Sequence, residues 1–280
     1  MKTQIPDSLK RDVPPTPWGK VLAATPVIMT VIATLLAGLA SSEMTRAQYT
    51  RALGAQLQSK AGDQWSYFQA KKLRGAMQRN SLETLEAMTD CHPLNHPALE
   101  KFPVAPASEM DASIKNALEA LEQQKTETEI TAALKTVDDR TLAAALSSAR
   151  DQVFAFDNLL TPANQALDEL EKSLPHEDKA TARNLTATRM RFAALRYDAE
   201  ARLNQNIAYL LELQVRKANI SAERHHKRSG KFFFGMLAAQ AAVIVATLAL
   251  AARQRNMLWT IAALAGILAV GFAIYVYLKV

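Results

Sequence analysis

Three long apolar runs stand out in the hydropathy pattern of this 280-residue chain. They extend over residues 21–40, 232–252 and 257–278, and none of them contains a charged side chain. At a rise of about 1.5 Å per residue, a helix of any of these lengths crosses the roughly 30 Å hydrocarbon layer of a bilayer. The pattern therefore predicts three transmembrane helices, one near the amino terminus and two that form a hairpin near the carboxyl terminus.

The residues after the first run continue its helical periodicity. An apolar residue recurs at every third or fourth position, and this stripe consists of Tyr49, Leu53, Leu57, Ala61, Trp65 and Phe68. We therefore expect one helix to leave the membrane and to continue through residues 41–88 as a first stalk. Asn80, with Glu83 three residues later, has the pattern of a capping box and predicts a fresh helix start there. Residues 89–107 contain four prolines, which predict a loop.

Residues 108–175 are expected to hold shorter helices with recognisable starts. Ser108 can cap one helix, and Asp139 suits the positive end of a second. Thr161 followed by Pro162 predicts the start of a third, short helix. Because two stalks enclose this region in the sequence, we expect it to form a small domain at the end of the stalks that is distant from the membrane.

A second stalk is predicted from residue 176 onward, where the chain has no further proline. Its apolar positions, Leu185, Phe192, Leu195, Ala199, Leu203, Leu210 and Leu213, recur with a period near 3.6 residues. One helix is expected from about Glu177 to Ala252, with residues 176–231 as the stalk and residues 232–252 as the second span. The fold class predicted is an all-α membrane protein with three transmembrane helices, long antiparallel helical stalks and a small distal helical domain.

The two stalks are natural packing partners because both enter the membrane from the same side. We expect Trp65 and Phe68 of the first stalk to be buried against the apolar face around Phe192, Leu195 and Ala199, or against its continuation toward Leu213. Gln64 and Gln69 are then expected to bond across the gap.

The net charge of +6 is concentrated near the predicted spans. Residues 41–230 carry 25 basic and 25 acidic side chains, so the excess lies in the tails and loops around the apolar runs, which argues against nucleic acid as a partner. Residues 83–178 are acidic, with 19 acidic against 7 basic side chains, whereas the flanking stalk segments are basic. We therefore expect an acidic tip held away from the membrane.

Sidedness follows from the basic residues that flank the spans. Ten such residues lie on the side of the stalks and six lie on the side of the tail, residues 1–20, and of the short loop between the last two spans. This imbalance favours a cytoplasmic location for the aqueous domain.

A candidate lipid contact lies immediately before the second span. It consists of Arg224, Lys227, Arg228 and Lys231, and these side chains either determine topology or bind anionic lipid. A candidate metal site is formed by Cys91, His92 and His96, although a structural zinc site needs four ligands at compatible spacing. The alternative interpretation is a turn-rich loop in which Cys91, the only thiol of the chain, is accessible to solvent.

The sequence contains no catalytic signature. Asp138 and Asp139 are adjacent on a helix and point about 100° apart, so they do not converge on one substrate atom. The spans contain no Asp, Glu, Lys, Arg or His, which argues against a pump or a transporter of charged substrates. Small residues recur along the second and third spans, and these faces permit close helix packing, either within the hairpin or between protomers.

A block in the first stalk resembles the bacterial membrane family known as domain of unknown function 4337. The matching residues are Asp63, Gln64, Trp65, Tyr67, Phe68, Gln69, Ala70 and Lys71. In that family a similar block follows the first anchor, and two closing spans end the chain. The resemblance covers both ends of this chain and leaves roughly residues 89–175 without support. It implies a bacterial inner-membrane protein of helical stalk type and implies no activity or cofactor.

The function expected from these features is that of a non-enzymatic, oligomeric inner-membrane scaffold or accessory protein that projects a helical domain from the membrane. Its partners would be membrane lipid, further copies of the chain and other membrane subunits. Two alternatives remain open: a passive pore formed by the same spans and lined by Thr and Gln, or an accessory subunit of a larger membrane enzyme complex.

Overall fold

The computed structural model describes residues 17–94, 110–173, 178–251 and 255–279. All regular structure in these ranges is helical. The helices, in chain order, are α1 (Pro17–Met88), α2 (Ala112–Glu122), α3 (Glu127–Thr136), α4 (Asp139–Ser173), α5 (Lys179–Ala251) and α6 (Arg255–Lys279).

Two of these helices, α1 and α5, are long and apolar enough over part of their length to cross a membrane. The apolar segment of α6, Thr260–Val276, is shorter. The helix predicted from about Glu177 to Ala252 is present as the single 73-residue helix α5. Its first turn is capped by Asp178, whose carboxylate accepts hydrogen bonds from the backbone N–H groups of Ala180 and Thr181, both at 3.1 Å.

The first helix is also continuous, and the helix start predicted at Asn80 is wrong. α1 runs through this position for 72 residues, and the hydroxyl of Thr84 donates to the Asn80 carbonyl at 2.8 Å. A capping pattern starts a helix only where the preceding residues cannot remain helical. Neither Gly nor Pro lies between Gly75 and Met88, so nothing interrupts the helix there.

The chain divides into two compact units. One comprises residues 1–52 and 219–280, and we call it the span unit; the other comprises residues 53–218, and we call it the helical unit. Each has its own buried core.

Small residues build the core of the span unit. Its main cluster consists of Ala33, Leu36, Ala40, Phe232, Ala239, Ala269 and Val276, and a second cluster consists of Ala246, Ala249 and Ala262. A Cβ atom on Gly266 would lie 2.7 Å from the end of the Met29 side chain, so the methionine packs directly against the glycine backbone. These small-residue faces therefore pack within the chain.

The core of the helical unit joins α4 to α5. It consists of Phe156, Leu160, Ala163, Leu167, Leu185, Phe192 and Leu203. Pro162 lies inside this packed stretch, so the short helix predicted to start at Thr161 is wrong and α4 continues for 35 residues. An internal proline costs about 3 kcal/mol, and the apolar contacts on both sides of Pro162 offset that cost.

Within the helical unit, ion pairs hold the acidic helices along α5. Arg216 of α5 lies 2.6 Å from Glu127 of α3, and Lys217 lies 2.7 Å from Asp139 at the start of α4. At the other end of α4, Arg189 lies 3.0 Å from Asp168. Because α4 does not break at Pro162, it is long enough to return along α5. The acidic helices therefore contact the part of α5 that is nearest in sequence to the apolar run.

Candidate functional site

The aromatic side chains of the family-like block face α5. The Trp65 ring lies edge-on to Tyr209, with 5.0 Å between centroids, and to Phe68, with 5.5 Å between centroids. This contact lies in the continuation of the α5 face toward Leu213, whereas Phe192 packs with Phe156 in the α4–α5 core. Trp65 and Phe68 are half-buried rather than fully buried as expected.

Polar contacts on either side of Trp65 fix the position of α1 against α5. The Gln64 amide donates to the Asn204 side-chain oxygen, and Asn204 in turn donates to the Glu200 carbonyl at 2.6 Å. Gln69, which was expected to bond across the same gap, is exposed. The sequence pattern did not single out Asn204 as the partner.

About two turns beyond Gln64 on α1, Lys71 reaches a buried carboxylate. Lys71 forms an ion pair with Glu200, which is 5% exposed, and Arg196 bonds to the other Glu200 oxygen at 2.6 Å. Burial opposes the charge of Arg196, but the hydrogen bond and charge of Glu200 outweigh that effect and raise the pKa of the guanidinium. The Lys71 ammonium also lies 5.5 Å from the centre of the Tyr197 ring. Each charge in this cluster is thus held by an opposite charge.

Close approach of the two helices at this level depends on a glycine. A Cβ atom on Gly75 would lie 3.2 Å from the Asp198 carboxylate and 3.4 Å from the Tyr197 Cβ. Asp198 itself forms an ion pair with Arg79. The segment from Gln64 to Arg79 is therefore a continuous polar and aromatic contact with α5.

The remaining residues of the block point away from α5. Asp63, Tyr67 and Gln69 are exposed, and Tyr67 retains 60% of its surface accessible. The block thus combines a packed face with a free face. The free face carries no contact within the described residues that would explain why it forms part of the family-like pattern.

The four residues predicted to bind anionic lipid do not act as one group. Arg224 and Lys227 are exposed. Arg228 lies 3.9 Å from the buried Glu43 carboxylate, and Lys231 lies 5.8 Å from the centre of the Tyr275 ring. Lys227 pairs with Glu223 of its own helix at 3.4 Å, so only Arg228 and Lys231 are directed toward partners on other helices of the span unit.

Glu43 is the centre of this part of the span unit. Its carboxylate lies 2.6 Å from Nδ1 of His225 and 3.6 Å from Arg46, and the Glu43 residue is only 8% exposed. Next to it, the Ser229 hydroxyl donates to the Ala40 carbonyl at 2.7 Å. These contacts join the end of the first apolar run to the start of the second.

Sequence reasoning missed Glu43 and Glu200, although a signal was present. Both are among the few acidic residues in strongly basic segments, two in residues 41–82 and four in residues 179–230. A scarce carboxylate in such a segment is a strong candidate for a buried partner of several cations.

The accessible loop predicted for Cys91 is wrong, because this residue is 3% exposed. The chain on its carboxyl side is attached to α5: the His92 N–H donates to the Asn184 side chain at 2.9 Å, and the Leu94 N–H donates to the Thr188 hydroxyl at 2.6 Å. Among the described residues no three His, Cys, Asp or Glu side chains are grouped to hold a metal ion. His96, the third residue of the candidate metal site, lies outside the described ranges.

Comparison with known proteins places the chain in one family. No curated protein and no solved structure gives a significant match. One family profile matches residues 18–157, which include the first apolar run, the block from Asp63 to Lys71, α2, α3 and the first half of α4. The match extends into the middle of the chain, where the resemblance gave no support, and it ends before α5. The chain therefore belongs to the family described as domain of unknown function (DUF4337).

Proposed function

We propose that this protein is a non-enzymatic, oligomeric scaffold or accessory protein of the bacterial inner membrane. The observation that carries the proposal is the continuity of α1 and α5, each of which passes without interruption from an apolar run into the helical unit. α6 would supply the third span. Long uninterrupted helices of this kind suit a structural role.

The stalks are proposed to run antiparallel, and the order of their contacts supports this. Gln64, Arg79 and His92 follow one another along the chain. Their respective partners in α5, Asn204, Asp198 and Asn184, lie in the reverse order along α5.

A structural role is further supported by the pairing of the two buried carboxylates with basic side chains. Glu200 is engaged by Lys71 and Arg196, and Glu43 is engaged by His225. Carboxylates held in this way fix helices against each other. The pore alternative has less support, because the Thr30, Thr34 and Thr247 hydroxyls all donate to carbonyls of their own helices.

Contact with anionic lipid is proposed for the exposed part of the basic cluster, namely Arg224 and Lys227. Exposed basic side chains next to an apolar run are attracted to anionic head groups, with about 1 kcal/mol per charge. Arg228 and Lys231, which are less exposed and have partners on other helices of the span unit, are proposed to serve packing instead.

Sidedness can be tested by thiol labelling in a background in which Cys91→Ser removes the native thiol. Ser147→Cys places an exposed thiol on α4, and Ser8→Cys places one in the amino-terminal tail. A charged maleimide is expected to label Ser8→Cys in intact spheroplasts and Ser147→Cys only after lysis. The reverse pattern would place the helical unit outside the cell.

Particle mass decides between the two forms of the proposal. Purified in mild detergent, a homo-oligomeric scaffold has a protein mass that is a multiple of 30.7 kDa. Foreign subunits in fixed ratio would favour the accessory role. A 30.7 kDa monomer in several detergents and in nanodiscs would exclude the oligomeric scaffold.

A further inference from the structure

A row of exposed side chains runs along one face of the apolar run of α5. Its members are Phe233, Leu237, Gln240, Ile244 and Thr247. They are separated by four, three, four and three residues, which is the spacing of positions a and d in a left-handed coiled coil. Left-handed crossings are also the commonest in transmembrane bundles. We call these five residues the Gln240 seam.

The opposite face of the same run is filled from within the chain. Its small residues, Gly235, Ala239, Ala242, Ala246 and Ala249, are all buried. A Cβ atom on Gly235 would lie 3.4 Å from Leu36 of α1, and Ala246 and Ala249 cluster with Ala262 of α6. The small-residue face is therefore not available to another protein. The Gln240 seam lies on the face of α5 that is left open, which also includes Phe234, Ala241 and Leu248.

The side chain at the centre of the seam has no hydrogen-bond partner in the part of the chain that the structure describes. Gln240 lies near the middle of the apolar run, and its amide makes no hydrogen bond to any described residue. The seam's other polar side chain, Thr247, donates to its own helix at the Ile244 carbonyl, at 2.8 Å. Hydrocarbon contains no water to bond an amide, so an unpaired Gln240 is costly there. A primary amide both donates and accepts, and two of them can therefore satisfy each other.

We propose that two copies of the chain associate in the membrane through the Gln240 seam, as parallel helices related by a two-fold axis, with the two Gln240 amides bonded to each other. This inference rests on the proposed membrane insertion and names the surface that the proposed oligomer uses. The amide pair also sets the register. A shift along the seam by three or four residues would oppose Gln240 to Leu237 or Ile244 and leave both amides unsatisfied, which is how a polar a or d residue selects one alignment.

Oxidative cross-linking of the full chain in liposomes tests the geometry, again with Cys91→Ser. Leu237→Cys and Ile244→Cys lie on the seam, and each is expected to form a disulfide-linked dimer rapidly. Ala241→Cys is the matched control, because it is exposed at the depth of Gln240 but lies about 100° around the helix. Equal cross-linking at Ala241 and Ile244 would overturn the proposed seam.

Substitution of Gln240 tests the amide pair. Gln240→Leu is expected to weaken the association constant in detergent roughly 3- to 30-fold, the range measured for polar contacts between membrane helices. Gln240→Asn keeps an amide and is expected to retain most of the association. The exposed position of Gln240 means that neither variant disturbs the core, and circular dichroism with thermal melting checks this. Unchanged association of Gln240→Leu would overturn the pairing.

The outcomes separate this inference from the function proposed above. An oligomer that cross-links only off the seam overturns the seam and leaves the scaffold intact. A monomeric particle counts against the oligomeric scaffold itself. Labelling of a Gln240→Cys thiol by a charged, membrane-impermeant maleimide would show that water reaches the residue. This result would overturn the helix contact at the seam and favour a pore.

Discussion

At the scale of single residues, Glu43 and Glu200 share one arrangement. Each is a buried carboxylate in a basic segment, and each is engaged by a basic side chain from the facing helix, His225 for Glu43 and Lys71 for Glu200. Removing one partner of a buried pair leaves a charge without compensation, which costs about 3–5 kcal/mol, far more than the loss of a surface pair. These residues are therefore where small changes should have large effects.

Lys71→Met is expected to destabilise the helical unit by about 3 kcal/mol, since Arg196 remains to compensate part of the Glu200 charge. Lys72→Met is the matched control, because Lys72 is exposed and should change stability by less than about 0.5 kcal/mol. Urea unfolding followed by tryptophan fluorescence measures both. Equal midpoints for the two variants would contradict the role assigned to Lys71.

Trp65→Ala is expected to cost about 2 kcal/mol, less than the 3–5 kcal/mol of a fully buried tryptophan, because Trp65 is half-buried and loses mainly its edge contact with Tyr209. Tyr67→Ala, on the exposed side of the same turn, provides the comparison. Thermal melting should separate the two variants clearly. A Trp65→Ala protein as stable as Tyr67→Ala would instead assign Trp65 to docking of a partner.

At the scale of helices, three carboxylates stabilise helix starts. Asp111 accepts from Ser113, Glu129 bonds to Thr126 in a capping box, and Asp178 accepts from Thr181. In each case the largest cause is the side-chain hydrogen bond, which lowers the pKa of the carboxyl group below its ordinary value. A lowered pKa in the folded state means that the ionised carboxylate stabilises the fold above the ordinary pKa, and that this contribution disappears as the pH falls through the folded-state value.

The start of α5 offers a direct test of this acid sensitivity. Stability that depends on Asp178 should be complete above its ordinary pKa of 3.8 and should be lost as the pH falls further. Asp178→Asn keeps a capping side chain that does not titrate. Melting temperatures from pH 7 to pH 3 should therefore fall less steeply for Asp178→Asn than for the original chain. Parallel curves would show that Asp178 does not contribute to the pH dependence.

How far the sequence predicts each helix depends on what packs against it. The long helix α5 was predicted almost to the residue, because it lacks proline and its apolar period is uninterrupted. The stripe predicted for α1 was partly wrong. Ala61 is buried as expected, but Tyr49 and Leu53 are exposed, and Gly54 and Gly75, which lie outside the stripe, are buried. A pattern of large apolar residues cannot reveal a contact that depends on small ones, which let two backbones approach closely.

At the scale of the whole molecule, the two helices long and apolar enough to cross a membrane, the helical class and the family were all accessible from the sequence. The continuation of α4 through Pro162 along α5 was not accessible from the sequence. Thr161 and Pro162 have the local pattern of a helix start, and only tertiary contacts through Leu160 and Ala163 override that pattern. The partners of Lys71 and Gln64 were not accessible either. They lie about 130 to 140 residues away, and only the pairing of α1 with α5 brings them together.

The burial of Cys91 changes how topology can be measured. A charged maleimide is expected to leave the native thiol unlabelled in intact spheroplasts and after lysis, and to label it only when urea unfolds the chain. Tryptic digestion with mass spectrometry quantifies the modified peptide. Labelling of the folded protein after lysis would show that the segment around His92 and Leu94 opens from α5. Introduced thiols such as Ser147→Cys are therefore needed to report sidedness.

The hydrogen bond between Gln64 and Asn204 joins residues 140 positions apart, and this distance has a consequence during synthesis. At a ribosomal rate of about 5–20 residues per second, α1 emerges roughly 7–28 s before the part of α5 that covers it. Throughout that interval Trp65, Phe68 and the Lys71 ammonium have no partner from α5. Each nascent chain must therefore hold an incomplete helix in solution, next to its already synthesised first apolar run, until translation of the second half closes the pair.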